Sequence, residues 1–309
     1  MKEGTPGVWY NSWPCRGGDG AFALWLGVHK AGGSPMGAMR RSAICAVGAM
    51  LLAYALTARA GDAPEGAIVP VSQALCDDMK KHNVIRAGVP VGCERLSLIT
   101  FSYMGFDGSI HGGGEIMVMD AAAENVLRIF AKLRELRFPI AKARLVNHYE
   151  GNDDASMADN NTSAFNGRPV AGSNKPSLHA YGLAIDLNPI QNPNADRTGA
   201  KLTFRPPAGI DYANRLNDRP GKNVRLGMAE PVIDVFADEG FLIWGGYWDA
   251  PIDYQHFQVS RPLAEQLARL APAQAKAVYA QHVERYRNCR KTGGLESSRS
   301  KCVALDNQP

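Results

Sequence analysis

Ser177-Leu-His-Ala-Tyr-Gly-Leu-Ala-Ile-Asp186 is the stretch from which the chain is read. His179 and Asp186 stand seven residues apart, with Gly182 between them as a turn residue. Leu183 to Leu187 reads as a buried strand carrying one carboxylate. Alternate strand residues share a face, so Asp186 goes with Ala184 while Ile185 and Leu187 pack the other way. A carboxylate among such neighbours is costly unless its charge is compensated. A metal ion would compensate it, and so would hydrogen bonds from loop amides. The segment alone leaves both open.

Trp244-Gly-Gly-Tyr-Trp-Asp-Ala-Pro-Ile-Asp253-Tyr-Gln-His256-Phe257 is the second signal. Asp253 and His256 sit three residues apart at the start of an expected strand, Gln255 to Val259. Two His and one carboxylate, leaving a position for water, form a common catalytic zinc set. The expectation is one zinc per chain on His179, Asp186 and His256. Asp253 then serves as general base toward an activated water, or supports a His ligand from behind. Trp244, Tyr247 and Trp248 line a cleft or fill core. His111 and His148 are left outside the metal set.

Working outward, Leu96–Tyr103 and Glu115–Met119 read as strands, with the glycine-rich run Gly108–Gly114 turning between them. Asp120 is expected to cap a helix whose Val126, Ile129, Phe130, Leu133 and Leu136 recur at helical spacing. Ala143–Tyr149 reads as a strand, and 150–177 as a long polar loop. After loop-rich 188–225 come a short helix, Glu230–Glu239, and a helical stretch, Pro262–Arg287, broken near Pro272. Strands and helices mix without βαβ alternation, so the class is α+β.

Composition is globular, with 45% hydrophobic and 21% charged residues. Residues 39–60 have a basic start at Arg40 and Arg41, an apolar run, and Ala58-Arg59-Ala60, the layout of a secretory signal peptide. Residues 1–38 read as a start-site artefact or disordered leader. Residues 61–95 form an N-terminal segment, 96–270 a catalytic domain, and 271–309 a C-terminal helix with a basic tail. The formal charge of +4 belongs to the leader, because the chain beyond residue 60 has 28 basic and 28 acidic residues. No basic field suggests nucleic acid. Cys76, Cys93, Cys289 and Cys302 follow the leader, an even number that suggests two disulfides in an exported chain. Nearest-neighbour pairing is the simplest of three connectivities. A four-thiolate zinc site lacks its usual Cys-x2-Cys knuckle.

Ser177, His179, Asp186, Asp253 and His256 together resemble the D-alanyl-D-alanine carboxypeptidase and L-alanyl-D-glutamate endopeptidase family of zinc peptidases, in its exported branch. That family's pattern is Ser-x-His-x6-Asp, then, some seventy residues on, an acidic residue, two residues and His. Phe165-Asn-Gly-Arg168 resembles a family segment upstream of the first His, and similarity extends over roughly residues 95–262. The resemblance implies a small α+β fold shared with the Hedgehog signalling domain, an antiparallel sheet flanked by helices. It implies that Arg168 stabilises an oxyanion, and that Ser177 organises the His loop or, with Tyr181, Trp244 and Trp248, touches substrate. The implied function is hydrolysis of peptidoglycan stem peptides in the periplasm or cell envelope, foremost as a D-alanyl-D-alanine carboxypeptidase, second as an L-alanyl-D-glutamate endopeptidase. A zinc-retaining, non-catalytic wall-binding module is the alternative. Expected partners are peptidoglycan peptides alone, for a monomer with no nucleic acid and no membrane span after signal cleavage. Gln258 and Asp253 depart from the Glu that many members carry at each place.

Overall fold

The computed structural model describes residues 66–198, 201–292 and 298–306. The leader and signal segment expected over 1–60 lie outside the described residues. No helix among those described is long and apolar enough to cross a membrane.

β1 (Gly66–Pro70) leads into α1 (Gln73–Lys81), whose start is capped by the Ser72 hydroxyl. β1 pairs antiparallel with β2 (Leu96–Met104), which pairs with β3 (Ile110–Met119). The Cys76–Cys93 disulfide closes the loop between α1 and β2. α2 (Ala123–Glu135) covers this sheet with Val126, Ile129, Phe130 and Leu133, all fully buried. Phe130 stacks on Phe101 at 3.8 Å. Each such side chain contributes about 1.5–3 kcal/mol of hydrophobic stabilisation. Leu136 does not join them, since it lies past the last turn and is half exposed. Asp120 caps nothing, because its carboxylate is held by Arg95 at 3.0 Å. The glycine run also differs from expectation. The chain reverses over Gly105–Ser109, and Gly112–Gly114 continue β3 across a register shift opposite Phe101 and Tyr103.

The strand expected over Ala143–Tyr149 shrinks to β4 (Lys142–Ala143), followed by a 3-10 turn. Asn161 explains the stop, since its side chain accepts from the Arg144 amide and donates to the Arg144 carbonyl. The stretch read as loop contains α3 (Asp153–Ala158) and β5 (Asn161–Thr162), which pairs parallel with β4.

β6 (Ala184–Asp186), β9 (Ile243–Trp244) and β11 (His256–Gln258) make one three-stranded antiparallel sheet with β11 central. β7 (Asn194–Thr198), β8 (Lys201–Arg205) and β10 (Ile252–Asp253) make another with β7 central. α4 (Ile233–Asp238) packs Phe236 on Phe257 at 3.8 Å. Buried Asn188 and Asn192 bond carbonyls and amides of the long loops and fasten them to the end of β6.

α5 (Arg261–Arg269) and α6 (Pro272–Thr292) are separated just before Pro272, as expected. Ala275, Tyr279 and Val283 of α6 join the main core. α7 (Arg299–Asp306) is tied to α6 by the Cys289–Cys302 disulfide. Ala237, Leu242, Tyr286 and Cys302 form a small second core. Part of the basic tail is therefore packed, not solvated, and Arg299 bonds Asp234 and Tyr247. The whole is an α+β fold of small, mainly antiparallel sheets and helices.

Candidate active site

His179 lies in a 3-10 turn, Leu178–Tyr181, begun by Ser177, whose hydroxyl accepts from the His179 amide at 3.3 Å. The turn ends at Gly182 with φ +65°, where a Cβ would meet the Met119 amide nitrogen at 2.5 Å. Only glycine lets this reversal lie against β3. His179 Nδ1–H donates to the Ala164 carbonyl at 2.6 Å, which turns its Nε2 lone pair into the site.

Asp186 and His256 are direct register partners on β6 and β11, so they project to one face. Phe257, one residue on, points the other way into the core. His256 Nε2–H donates to Gln258 Oε1 at 2.8 Å and directs Nδ1 inward. His256 Nδ1 stands 2.9 Å from Asp186 Oδ1 and 3.2 Å from His179 Nε2, and His179 Nε2 stands 3.3 Å from Asp186 Oδ2. All three residues are buried, and their donor atoms lie within 4.8 Å of one another. Two imidazole nitrogens with fixed tautomers and a carboxylate fit a divalent metal ion. The buried charges point the same way. Burial opposes ionisation of Asp186, but His179 and His256 hold its pKa far below the ordinary carboxylate value. Burial would also depress His256, yet the hydrogen bond and charge of Asp186 push it up to about 9. A proton on His256 stands where a cation fits.

Asp253 lies on β10 and lines the same cleft, of about 440 Å³, as the His-Asp-His group. Its Oδ1 is buried with no hydrogen-bond partner among the described residues. Burial and then the Asp186 charge raise its pKa. Gly245 allows the Gly245–Tyr247 turn to lie on this strand, since a Cβ there would meet the Asp253 carbonyl at 2.5 Å. Arg168 lines the cleft as well, with Nη2 on Asp153 at 2.5 Å and a buried Nε that has no partner among the described residues. The Phe165-Asn-Gly-Arg168 segment is held in place by backbone bonds to Met117, His179 and Val84.

Ser177 and Trp248 line the cleft, and the Trp248 ring lies 5.4 Å from that of His256. Tyr181 and Trp244 sit in the core instead, where the Trp244 indole donates to the Tyr254 carbonyl. Tyr247 is exposed and bonds Arg299. His111 pairs with Asp107 in solvent, and His148 is exposed. Sequence reasoning missed Asn194, Arg205 and Arg261, which also line the cleft. Arg261 is close to His256 in the chain, but nothing in the sequence pointed to Asn194 or Arg205.

A family model described as D-alanyl-D-alanine carboxypeptidase matches residues 171–259. The match holds Ser177, His179, Asp186, Asp253 and His256 and ends before Arg261; Arg168 precedes it. No curated protein and no solved structure is a significant match. Over residues 171–259 the chain is thus similar to the D-alanyl-D-alanine carboxypeptidase family of peptidases.

Proposed function

We propose that the protein is a zinc-dependent peptidase that hydrolyses a peptide bond in peptidoglycan stem peptides, in the manner of a D-alanyl-D-alanine carboxypeptidase. The observation that carries this reading is the meeting, in one cleft, of the His179-Asp186-His256 donor set with a carboxylate, Asp253, whose buried Oδ1 has no hydrogen-bond partner among the described residues, and a cation, Arg168. His179, Asp186 and His256 hold one zinc. When bound there, zinc supplies Lewis acidity, lowering the pKa of water and polarising a carbonyl. Asp253, made more basic by burial and by the Asp186 charge, takes the proton of the attacking water and returns it to the departing amine. Arg168 faces the negative charge that grows on the carbonyl oxygen. The products are a carboxylic acid and an amine. A pure binding module needs neither of the last two groups.

Two disulfides accord with an oxidising compartment, and an exported, periplasmic setting follows from this reading. The test is incubation of the zinc-loaded protein with defined muropeptides, followed by mass spectrometry. Loss of terminal D-Ala supports the carboxypeptidase, and a cut after L-Ala supports an L-alanyl-D-glutamate endopeptidase. No product from the wild type, with zinc bound, overturns the enzymatic reading.

A further inference from the structure

Asn194 on β7 is the register partner of Asp253 on β10 and also of Arg205 on β8. The three form one row across the sheet. Directly opposed residues project to the same face, and all three line the cleft. With strands about 4.8 Å apart, the Arg205 backbone lies two strands from Asp253, roughly 10 Å. The Arg205 guanidinium bonds Asp154 at 2.7 Å, but the side chains are 51% and 72% exposed. An ion pair so exposed contributes little, so the guanidinium exchanges it readily for another carboxylate.

The rest is geometry of the substrate, and rests on Asp253 serving as base. A base that returns a proton to the leaving amine stands beside that amine. The amine nitrogen is bonded to the α-carbon of the leaving residue, and any free α-carboxylate is bonded to that carbon. Such a carboxylate therefore falls near Asp253, which repels it. Arg205 supplies the opposite charge in the same row. Arg168 is engaged by Asp153, and Arg261 donates to the Pro176 carbonyl; neither belongs to the row.

We infer that Arg205 reads the free α-carboxylate of the residue whose amine departs. The substrate class is thereby peptides with that feature. A terminal D-Ala has it, and so does a D-Glu linked onward through its side chain. An ordinary internal residue of an α-linked peptide does not. Either of the two stem-peptide bonds meets this requirement, and common protein backbone does not.

The test compares two peptide pairs on the zinc-loaded full chain: an acyl-D-Ala-D-Ala acid and its C-terminal amide, and an L-Ala-γ-D-Glu peptide and its α-amide. A charged hydrogen bond of this kind corresponds to about 10- to 100-fold in kcat/KM. The wild type is expected to prefer the acid of the pair it cleaves by that factor. Arg205→Gln loses the factor on the acid, so that acid and amide are cleaved at similar rates, and Arg205→Lys recovers part of the preference. Calorimetric binding of the same peptides to Asp253→Asn, with and without Arg205→Gln, is expected to follow the same order. Equal rates on acid and amide, or a preference that survives Arg205→Gln, overturns the inference and leaves the peptidase reading standing. Absence of all cleavage with zinc bound sinks the peptidase reading, and the binding comparison then decides on Arg205 alone.

Discussion

His256 donates from Nε2 to Gln258 and meets Asp186 through Nδ1. Its pKa is about 9 in the metal-free fold, against an ordinary 6.5. The protonated ring therefore stabilises the metal-free protein fully below pH 6.5, and that contribution is lost as the pH rises through about 9. Asp186 works oppositely, since its depressed pKa gives a contribution present above the carboxylate range and lost in strong acid. On the proposed reading, zinc must displace the His256 proton. Apparent zinc affinity is thus expected to rise with pH by about tenfold per unit up to the His256 pKa, then flatten. Chelator competition across that range measures it, and a flat profile would remove His256 from the ligand set. Gln258 fixes the tautomer of that ring. Gln258→Ala is expected to weaken zinc binding by about 10- to 100-fold, read in the same competition, with little change in melting temperature of the metal-free protein because Gln258 is only part-buried.

Strand β6 was legible in the sequence because Leu183–Leu187 is an apolar run with one polar outlier, and β11 because polar His256 and Gln258 alternate with apolar Phe257 and Val259. Asp186 and His256 could be picked as ligands for that reason, although their facing register, across 70 residues, could not. β7, β8 and β10 were not legible. β7 (Asn-Ala-Asp-Arg-Thr) and β10 (Ile-Asp) offer no alternation to read, and the alternation of β8 (Lys-Leu-Thr-Phe-Arg) spans only five residues inside a stretch rich in Pro and Asn. Asn194 and Arg205 stayed hidden with them. The aromatic run Trp244–Trp248 was ambiguous because the 3-10 turn inside it sends Trp244 to the core and Trp248 to the cleft. Gly182 shows the opposite case, a single residue whose role was visible as a turn but whose contact with β3 was not. At φ +65° and with a Cβ 2.5 Å from the Met119 amide nitrogen, Gly182→Ala forces strain and a shift of the His179 turn. A loss of about 2–3 kcal/mol in urea unfolding is expected, together with weaker zinc binding because His179 moves. An unchanged unfolding midpoint would mean that β3 yields easily here.

At the scale of the whole molecule, Arg95 joins parts that are far apart in the chain. It stands just before β2, is 8% exposed, and its guanidinium bonds Asp120 at 3.0 Å. The same group donates to the carbonyls of Leu267 and Leu270 at 3.2 and 3.0 Å, at the end of α5. One cation thus satisfies the open carbonyls of a helix end and fastens the N-terminal sheet, the start of α2 and the α5–α6 corner together. α5 follows directly on β11, so the same fastening backs the strand that carries His256. Removing the cation takes its partner from a part-buried carboxylate and from the Leu270 carbonyl, while the Leu267 carbonyl keeps only the Leu270 amide. Arg95→Met is expected to cost about 3 kcal/mol, or roughly 6–12 °C in melting temperature for a domain of this size. Asp120→Asn alone costs less, since the carbonyl bonds survive. The double variant is expected to fall short of the sum of the single losses by about 1–2 kcal/mol, the signature of direct coupling. Zinc affinity measured well below the melting point is expected to change by no more than about twofold, because no donor atom of the metal set touches Arg95 and a loss confined to global stability leaves the folded site intact. Additive single and double losses would show that Arg95 acts through the α5 carbonyls and not through Asp120.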